Sequence, residues 1–80
     1  MIKNQMESKK KCQIKFGKHL RKVRLKHGLH LNELGKMCSL DPPNLVRIEK
    51  GRINTTIYQV KKICVALEIT FEMFFKGFKS

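Results

Sequence analysis

Acidic residues are scarce in this chain, which has 80 residues and carries six Asp and Glu against 18 Lys and Arg. The resulting net charge of +12 exceeds what solubility requires, and it favours a polyanionic partner. Ten of the 18 basic residues lie within residues 1–27, where Glu7 alone opposes them. A solvated basic face would explain part of this charge, but we expect a nucleic acid as the partner.

Long apolar runs are also absent, since no stretch of about 18 apolar residues that could cross a membrane occurs. Residues 1–15 are polar and lack the apolar segment of a signal peptide, so we expect a cytoplasmic protein without membrane contact. The length is that of one domain with a small core.

Cysteine is rare, and Cys12, Cys38 and Cys64 are too widely spaced to form a metal-binding CxxC pair. The histidines are not grouped with cysteines or carboxylates in a catalytic pattern. We find no nucleophile–base pair, paired-carboxylate site or phosphate-cradling glycine loop. We therefore expect no enzymatic activity, no metal and no cofactor, and we predict that Cys38 and Cys64 are reduced core residues.

Apolar residues recur at helical spacing in five segments, and no segment alternates as a strand would. The first helix is predicted to begin near Gln13 and to end at Gly28. Thr56 and Thr70 are predicted to cap the fourth and fifth helices. Residues 1–12 are interpreted as a flexible basic N-terminal arm, either without a role or adding DNA contacts, and residues 13–80 as the folded domain.

Two short amphipathic helices joined by a tight turn are predicted between these segments. The second helix runs roughly from Leu31 to Met37, with Glu33 at the third position of a capping box. In a strongly basic protein, this helix and the one after it favour a helix-turn-helix whose second member enters a DNA groove.

The third helix has a clear start signal in Asp41, a good N-cap, followed by Pro42 at the first helical position. Pro43 disfavours the helical conformation at Pro42, so the helix would begin at one proline or the other. Gly51 is predicted to end it.

The pattern from Phe16 to Phe75 resembles the helix-turn-helix domain of the phage repressor and Cro proteins, the XRE group of bacterial regulators. The matching positions are Phe16, Leu20, Arg24, Leu29, Glu33, Leu34, Leu45, Arg47, Ile48, Glu49, Gly51, Asn54, Ile57, Val60, Ile63, Ala66, Leu67 and Ile69. The resemblance covers about three quarters of the chain. It implies an all-α, five-helix, phage-repressor-like DNA-binding domain.

The resemblance implies that the third helix, residues 42–50, is a recognition helix in the major groove of double-stranded DNA. Its base-contacting positions are Pro42, Pro43, Asn44 and Arg47. Because the prolines cannot hydrogen-bond to a base, direct readout falls on Arg47, which suits guanine, and on Asn44, which suits adenine.

Contacts with DNA phosphates are implied at the start of the second helix and in the loop after the third. The residues concerned are His30, Leu31, Lys50, Arg52 and Asn54. Leu31 departs from the family, which usually has a glutamine there. Three residues of the first helix are weaker candidates that we expect to be ordinary solvated side chains: Lys18, Arg21 and Lys22.

Arg24 and Glu49 match a family pair that bridges the first and third helices. The resemblance implies a partly buried ion pair with a structural role. Loss of one partner from such a pair is costly.

Four of the five phenylalanines fall in the last ten residues: Phe71, Phe74, Phe75 and Phe78. One or two of them are expected to close the core, and the others would leave an exposed apolar patch. We therefore predict a homodimer interface at these four residues, which would present two recognition helices to a two-fold symmetric operator.

The leading hypothesis is a sequence-specific transcriptional regulator, either a restriction-modification controller or a mobile-element repressor. The alternative is an antitoxin-like protein that binds a toxin and its own promoter. A nonspecific nucleic-acid-binding protein would follow from the charge alone.

Overall fold

The fold is all-α, as predicted: the computed structural model describes residues 8–78 and contains five α-helices and no strand in that range. The helices are α1 (Lys9–Lys26), α2 (Leu31–Met37), α3 (Pro42–Glu49), α4 (Ile57–Leu67) and α5 (Phe71–Phe75). None of the helices in the described range is long and apolar enough to span a membrane.

Helix α1 begins earlier than predicted. Ser8 is its N-cap, and the Ser8 hydroxyl accepts a hydrogen bond of 3.1 Å from the backbone N–H of Lys11. The first turn carries no core-facing residue, so the apolar pattern that begins at Ile14 does not reveal it. Residues 9–12 therefore belong to the helix rather than to the predicted arm, and residues 1–7 lie outside the described residues.

The predicted caps of the later helices are confirmed. Thr56 and Thr70 each accept a hydrogen bond of 3.0 Å from the backbone N–H three residues further on. At the start of α2, the Glu33 carboxylate accepts a 2.7 Å hydrogen bond from the backbone N–H of His30. These local contacts set where the helices begin.

Helix α3 begins at the first of its two prolines, and Asp41 is the N-cap by position. The Asp41 side chain makes no capping hydrogen bond. A capping oxygen accepts from the amide at the second or third helical position, and Pro43 at the second position has no N–H to donate.

The core is built from residues of all five helices and of the turn between α2 and α3. Its buried apolar residues are Leu20, Leu34, Cys38, Leu40, Leu45, Ile48, Val60, Ile63, Cys64, Leu67 and Phe74. Cys38 and Cys64 are buried free thiols, as predicted, and burial raises the pKa of each. Both thiols therefore stay protonated and unreactive at neutral pH.

Two close approaches fix α1 against α3 and the loop that follows α3. Gly17 lies directly against the backbone carbonyls of Ile48 and Glu49, with no room for a Cβ. Gly51 has a φ of +73°, and a Cβ there would meet the Cα of Ile14 at 2.6 Å. The helices therefore pack backbone to backbone, which holds α3 in one orientation on the domain.

Candidate nucleic-acid interface

The turn between α2 and α3 is held tightly against α2. The backbone N–H of Leu40 donates a 2.8 Å hydrogen bond to the carbonyl of Gly35. Gly35 also faces the carbonyl of Leu40 at a distance where a Cβ would be only 2.8 Å away. Ser39 takes a φ of 57°, which reverses the chain, and Leu40 is buried. The two helices therefore form one rigid helix-turn-helix unit.

Helix α3 has one buried and one outward face. Leu45, Ile48 and Glu49 point into the protein and are at most 8% exposed. The predicted base-contacting residues lie on the other side: Pro42, Pro43 and Arg47 are exposed and Asn44 is half-buried. The structure therefore brings all four together on a surface that a DNA groove can reach.

Two of these side chains contact each other. The Arg47 guanidinium donates from Nη1 to Oδ1 of Asn44, with a donor–acceptor distance of 2.9 Å. The residues stand three positions apart on α3, where helical side chains meet. The polar part of the outward face is therefore a single hydrogen-bonded unit.

A bidentate ion pair holds α3 in place behind this face. Arg24 donates from Nε to one oxygen of Glu49 at 2.6 Å and from Nη2 to the other at 2.9 Å. Its remaining nitrogen, Nη1, donates to the carbonyl of Leu29 at 2.9 Å. The hydrogen bonds to Glu49 raise the pKa of Arg24 despite its burial. Arg24 therefore ties α1 both to α3 and to the segment before α2.

A groove between α1 and α3 brings a predicted phosphate contact together with two of the weaker first-helix candidates. It runs beside the outward face of α3, and Lys18 and Arg21 line it together with Lys50. The predicted first-helix candidates are thus divided, because Lys22 lies on the other flank of α1, near His19. Spacing on α1 gives no signal for this division, because Lys18 lies three residues from Arg21 and four from Lys22, and both spacings share a helix face. The packing of α1 against α3 decides it.

Three more basic side chains lie together at the loop after α3. Arg52 lines a shallow cleft with Lys9 and Lys10, because α1 extends back to Lys9. Gln13 ties the two segments together, since its Nε2 donates to the carbonyl of Gly51 at 3.1 Å. The early start of α1 therefore adds two lysines beside a predicted phosphate contact.

The other predicted phosphate contacts differ in exposure. Lys50 and Asn54 are exposed in or next to the loop after α3, and His30 is exposed before α2. Leu31 is half-buried, packs against the core and lines the α1–α3 groove with Val46. The backbone N–H of His30 is already bonded to Glu33, so it is not free for a phosphate.

The phenylalanines near the end of the chain are divided between core and surface. Phe74 is 0% exposed, so its assignment to a dimer interface is wrong: it closes the core against Phe16, with ring centroids 5.9 Å apart. Phe71 and Phe75 remain about two-fifths exposed, and Phe78 is half-buried. Burial of this kind depends on which face of α5 packs inward, and a five-residue helix rich in phenylalanine gives no periodic signal for it.

His19 holds α5 in position. Its Nε2 donates to the carbonyl of Phe74, and its ring packs edge-on against Phe78 at 5.1 Å between centroids. It also stacks on Phe75 at 6.4 Å. This histidine, which no motif singled out, therefore joins α1 to the surface-exposed aromatic residues.

Helix α4 adds exposed apolar side chains, among them Ile57, for which the apolar period predicts a core position. Ile57, Tyr58 and Val65 are 79%, 70% and 63% exposed. Tyr58 and Val65 stand seven residues apart, which is about two helical turns, so they lie on the same outward face of α4, and Ile57 lies next to that face. We use the name α4–α5 apolar surface for these three side chains together with Phe71 and Phe75, the exposed phenylalanines of α5.

Comparison with known proteins identifies a matching family model and solved structures that are similar to this chain. A family model described as helix-turn-helix matches residues 20–74. The restriction-modification controller protein C.AhdI from Aeromonas hydrophila superposes with a TM-score of 0.76 and 29% identity, covering 81% of this chain and 98% of that one. No curated protein sequence matches the chain.

Two further solved structures are similar. A variant of the restriction-modification controller protein C.Esp1396I gives a TM-score of 0.79 with 29% identity, over 91% of this chain and 90% of that chain. A helix-turn-helix transcriptional regulator from Vibrio cholerae gives 0.80 with 26% identity, over 88% of this chain and 39% of the longer regulator.

Proposed function

Because the chain belongs to the helix-turn-helix family of DNA-binding transcriptional regulators, we propose that it recognises a two-fold symmetric operator as a cytoplasmic homodimer. In this proposal, residues 42–50 lie in the major groove of the operator. The role is one of binding, without catalysis.

The outward face of α3 is the observation that carries the proposal. It presents Arg47 and Asn44 on a helix that has cations in the groove beside it, between α1 and α3, and in the loop that follows it. The backbone contact at Gly17 and the Arg24–Glu49 pair hold this face rigidly. A rigidly held helix with outward polar groups and nearby cations matches what major-groove recognition requires.

The chemistry of each side chain indicates which part of the DNA it contacts. Lys18, Arg21, Lys50 and Arg52 contact phosphates, which sets the position of the protein but reads no sequence. Arg47 donates two parallel hydrogen bonds to guanine O6 and N7. The two prolines offer apolar contact, for instance to a thymine methyl group. Binding then weakens steeply with salt because each phosphate contact releases a counterion.

Within this class we propose a controller of a restriction-modification system rather than a mobile-element repressor. Support comes from the similarity to two such controller proteins, each covered over at least nine-tenths of its own length.

Selection of binding sites from a random duplex pool near 150 mM salt tests the proposal. We expect an inverted repeat, with one position in each half-site losing its guanine preference when Arg47 is replaced by alanine. The loss corresponds to roughly 1–3 kcal/mol of discrimination. Lys50→Ala is the matched control, because loss of a phosphate contact lowers affinity on every sequence alike. Equal weakening of all sequences by Arg47→Ala would contradict its role as a base reader.

The homodimer is proposed from the α4–α5 apolar surface, because a monomer rarely leaves so many large apolar side chains in water. Sedimentation at micromolar concentration, with and without DNA, is expected to show a dimer. Val65→Asp and Ile57→Asp, at side chains that are mostly exposed in the monomer, should each shift the protein to a folded monomer, because a carboxylate buried without a partner in the interface opposes association. Leu25→Asp, on the exposed side of α1, is the control and should leave the dimer intact.

A wild-type monomer under both conditions would contradict the dimer. A monomer that still enriches a specific site would favour the antitoxin-like alternative, in which a different protein covers the same apolar surface. A monomer that enriches no site would favour nonspecific nucleic-acid binding or a requirement for a protein partner.

A further inference from the structure

The side chains on the outward face of α3 are not independent. Arg47 is exposed, yet its guanidinium is held by a 2.9 Å hydrogen bond to Oδ1 of half-buried Asn44 before any DNA is bound. A long arginine side chain otherwise samples many rotamers, and ordering it on binding costs free energy. The contact with Asn44 reduces that cost in advance.

The same contact changes what Asn44 offers to a base. A bidentate contact to adenine requires the amide to turn both its oxygen and its nitrogen toward the base edge. In this structure the oxygen is turned toward Arg47 instead. Arg47 uses one N–H of Nη1 in this bond and keeps the N–H groups of Nε and Nη2, which are enough for two parallel bonds. The pair therefore presents donors, which match the acceptor edge of guanine.

We propose that Asn44 is a positioning residue for Arg47, and that the two side chains together read one guanine in each half-site rather than one guanine and one adenine. The inference rests on the proposed function and refines its readout. The neighbouring residues on this face cannot replace Asn44, because Pro42, Pro43 and Val46 have no side-chain acceptor that could hold a guanidinium.

Binding measurements on operator variants test the inference. Each base pair of the selected half-site is changed in turn, and the affinities of the wild type, Asn44→Ala, Arg47→Ala and the double variant are compared. We expect Asn44→Ala to reduce the guanine preference by about 2- to 10-fold at the one position that Arg47 reads. No other position should change, and the double variant should resemble Arg47→Ala alone.

Two further variants test whether the hydrogen-bond acceptor of Asn44 is what matters. Asn44→Asp keeps an acceptor for Arg47, so it should retain the guanine preference while its charge lowers affinity on all sequences. Asn32→Ala removes an exposed amide from α2 and should leave the preference unchanged. Loss of an adenine preference at a separate position in Asn44→Ala would overturn the inference, and so would a uniform loss of affinity with every preference intact.

A measurement on the free protein separates this inference from the proposed function. The order of the Arg47 side chain, followed by NMR relaxation at Nε, should fall in Asn44→Ala and be retained in Asn44→Asp. Equal order in all three proteins would overturn the positioning role. If the wild type enriched no binding site, the proposed function and the reading of guanine would both fail. The NMR comparison would still show whether Asn44 orders the Arg47 side chain.

Discussion

Replacing Arg24 by alanine is expected to lower the free energy of unfolding by about 3–5 kcal/mol. Arg24 and Glu49 are both less than a tenth exposed and share two hydrogen bonds. The substitution leaves the Glu49 carboxylate buried without a partner, and it also frees the carbonyl of Leu29. A domain of this size has a total stability of the same order, so the variant would be largely unfolded at physiological temperature.

Urea denaturation of the two single variants and of double variants checks this expectation. Exchanging the residues, Arg24→Glu with Glu49→Arg, should preserve more stability than either single change, because a buried charge again has a partner. Arg24→Met with Glu49→Leu should also be more stable than either single loss, since it removes both charges. Arg21→Ala, an exposed arginine of the same helix, should change stability by about 0.5 kcal/mol or less. If the loss in free energy of unfolding of each double variant equalled the sum of the losses in the two single variants, the two residues would not act as a pair.

Replacing Gly17 by alanine is expected to destabilise the protein by about 3 kcal/mol, although alanine is the better helix former. The change gains at most about 1 kcal/mol from helix propensity. The added Cβ collides with the backbone carbonyls of Ile48 and Glu49, which cannot turn away as a side chain could. Helices α1 and α3 must then separate, which disturbs the core and the Arg24–Glu49 pair, so the steric cost exceeds the gain in propensity.

Thermal and urea unfolding of Gly17→Ala measure this effect. Gly28→Ala is the matched control, because Gly28 has a φ of +70° but no heavy atom near the position of a Cβ. It should cost only the strain of a left-handed residue, about 1–2 kcal/mol. Unchanged or increased stability of Gly17→Ala would show that α1 and α3 do not approach each other as closely as described.

The candidate site could be predicted to a large extent because its outline depends on local patterns and on a family pattern. The outward face of α3 follows from the apolar period of Leu45 and Ile48, and the Arg24–Glu49 pair follows from the family resemblance. Its finer composition could not be predicted. Which lysines flank α3 depends on how α1 is rotated against α3, and the bond between Arg47 and Asn44 depends on the rotamers of both side chains.

The sequence by itself determined the charge of the protein, its helical class and the starts of α2, α4 and α5. These properties depend on composition and on contacts three or four residues apart, such as Thr56 with Gln59 and His30 with Glu33. Only the tertiary structure decided that Gly17 is the contact point of α1 with α3 and that Phe74 belongs to the core. The physical reason is that both outcomes depend on which faces of distant helices meet, and packing across the whole domain selects those faces.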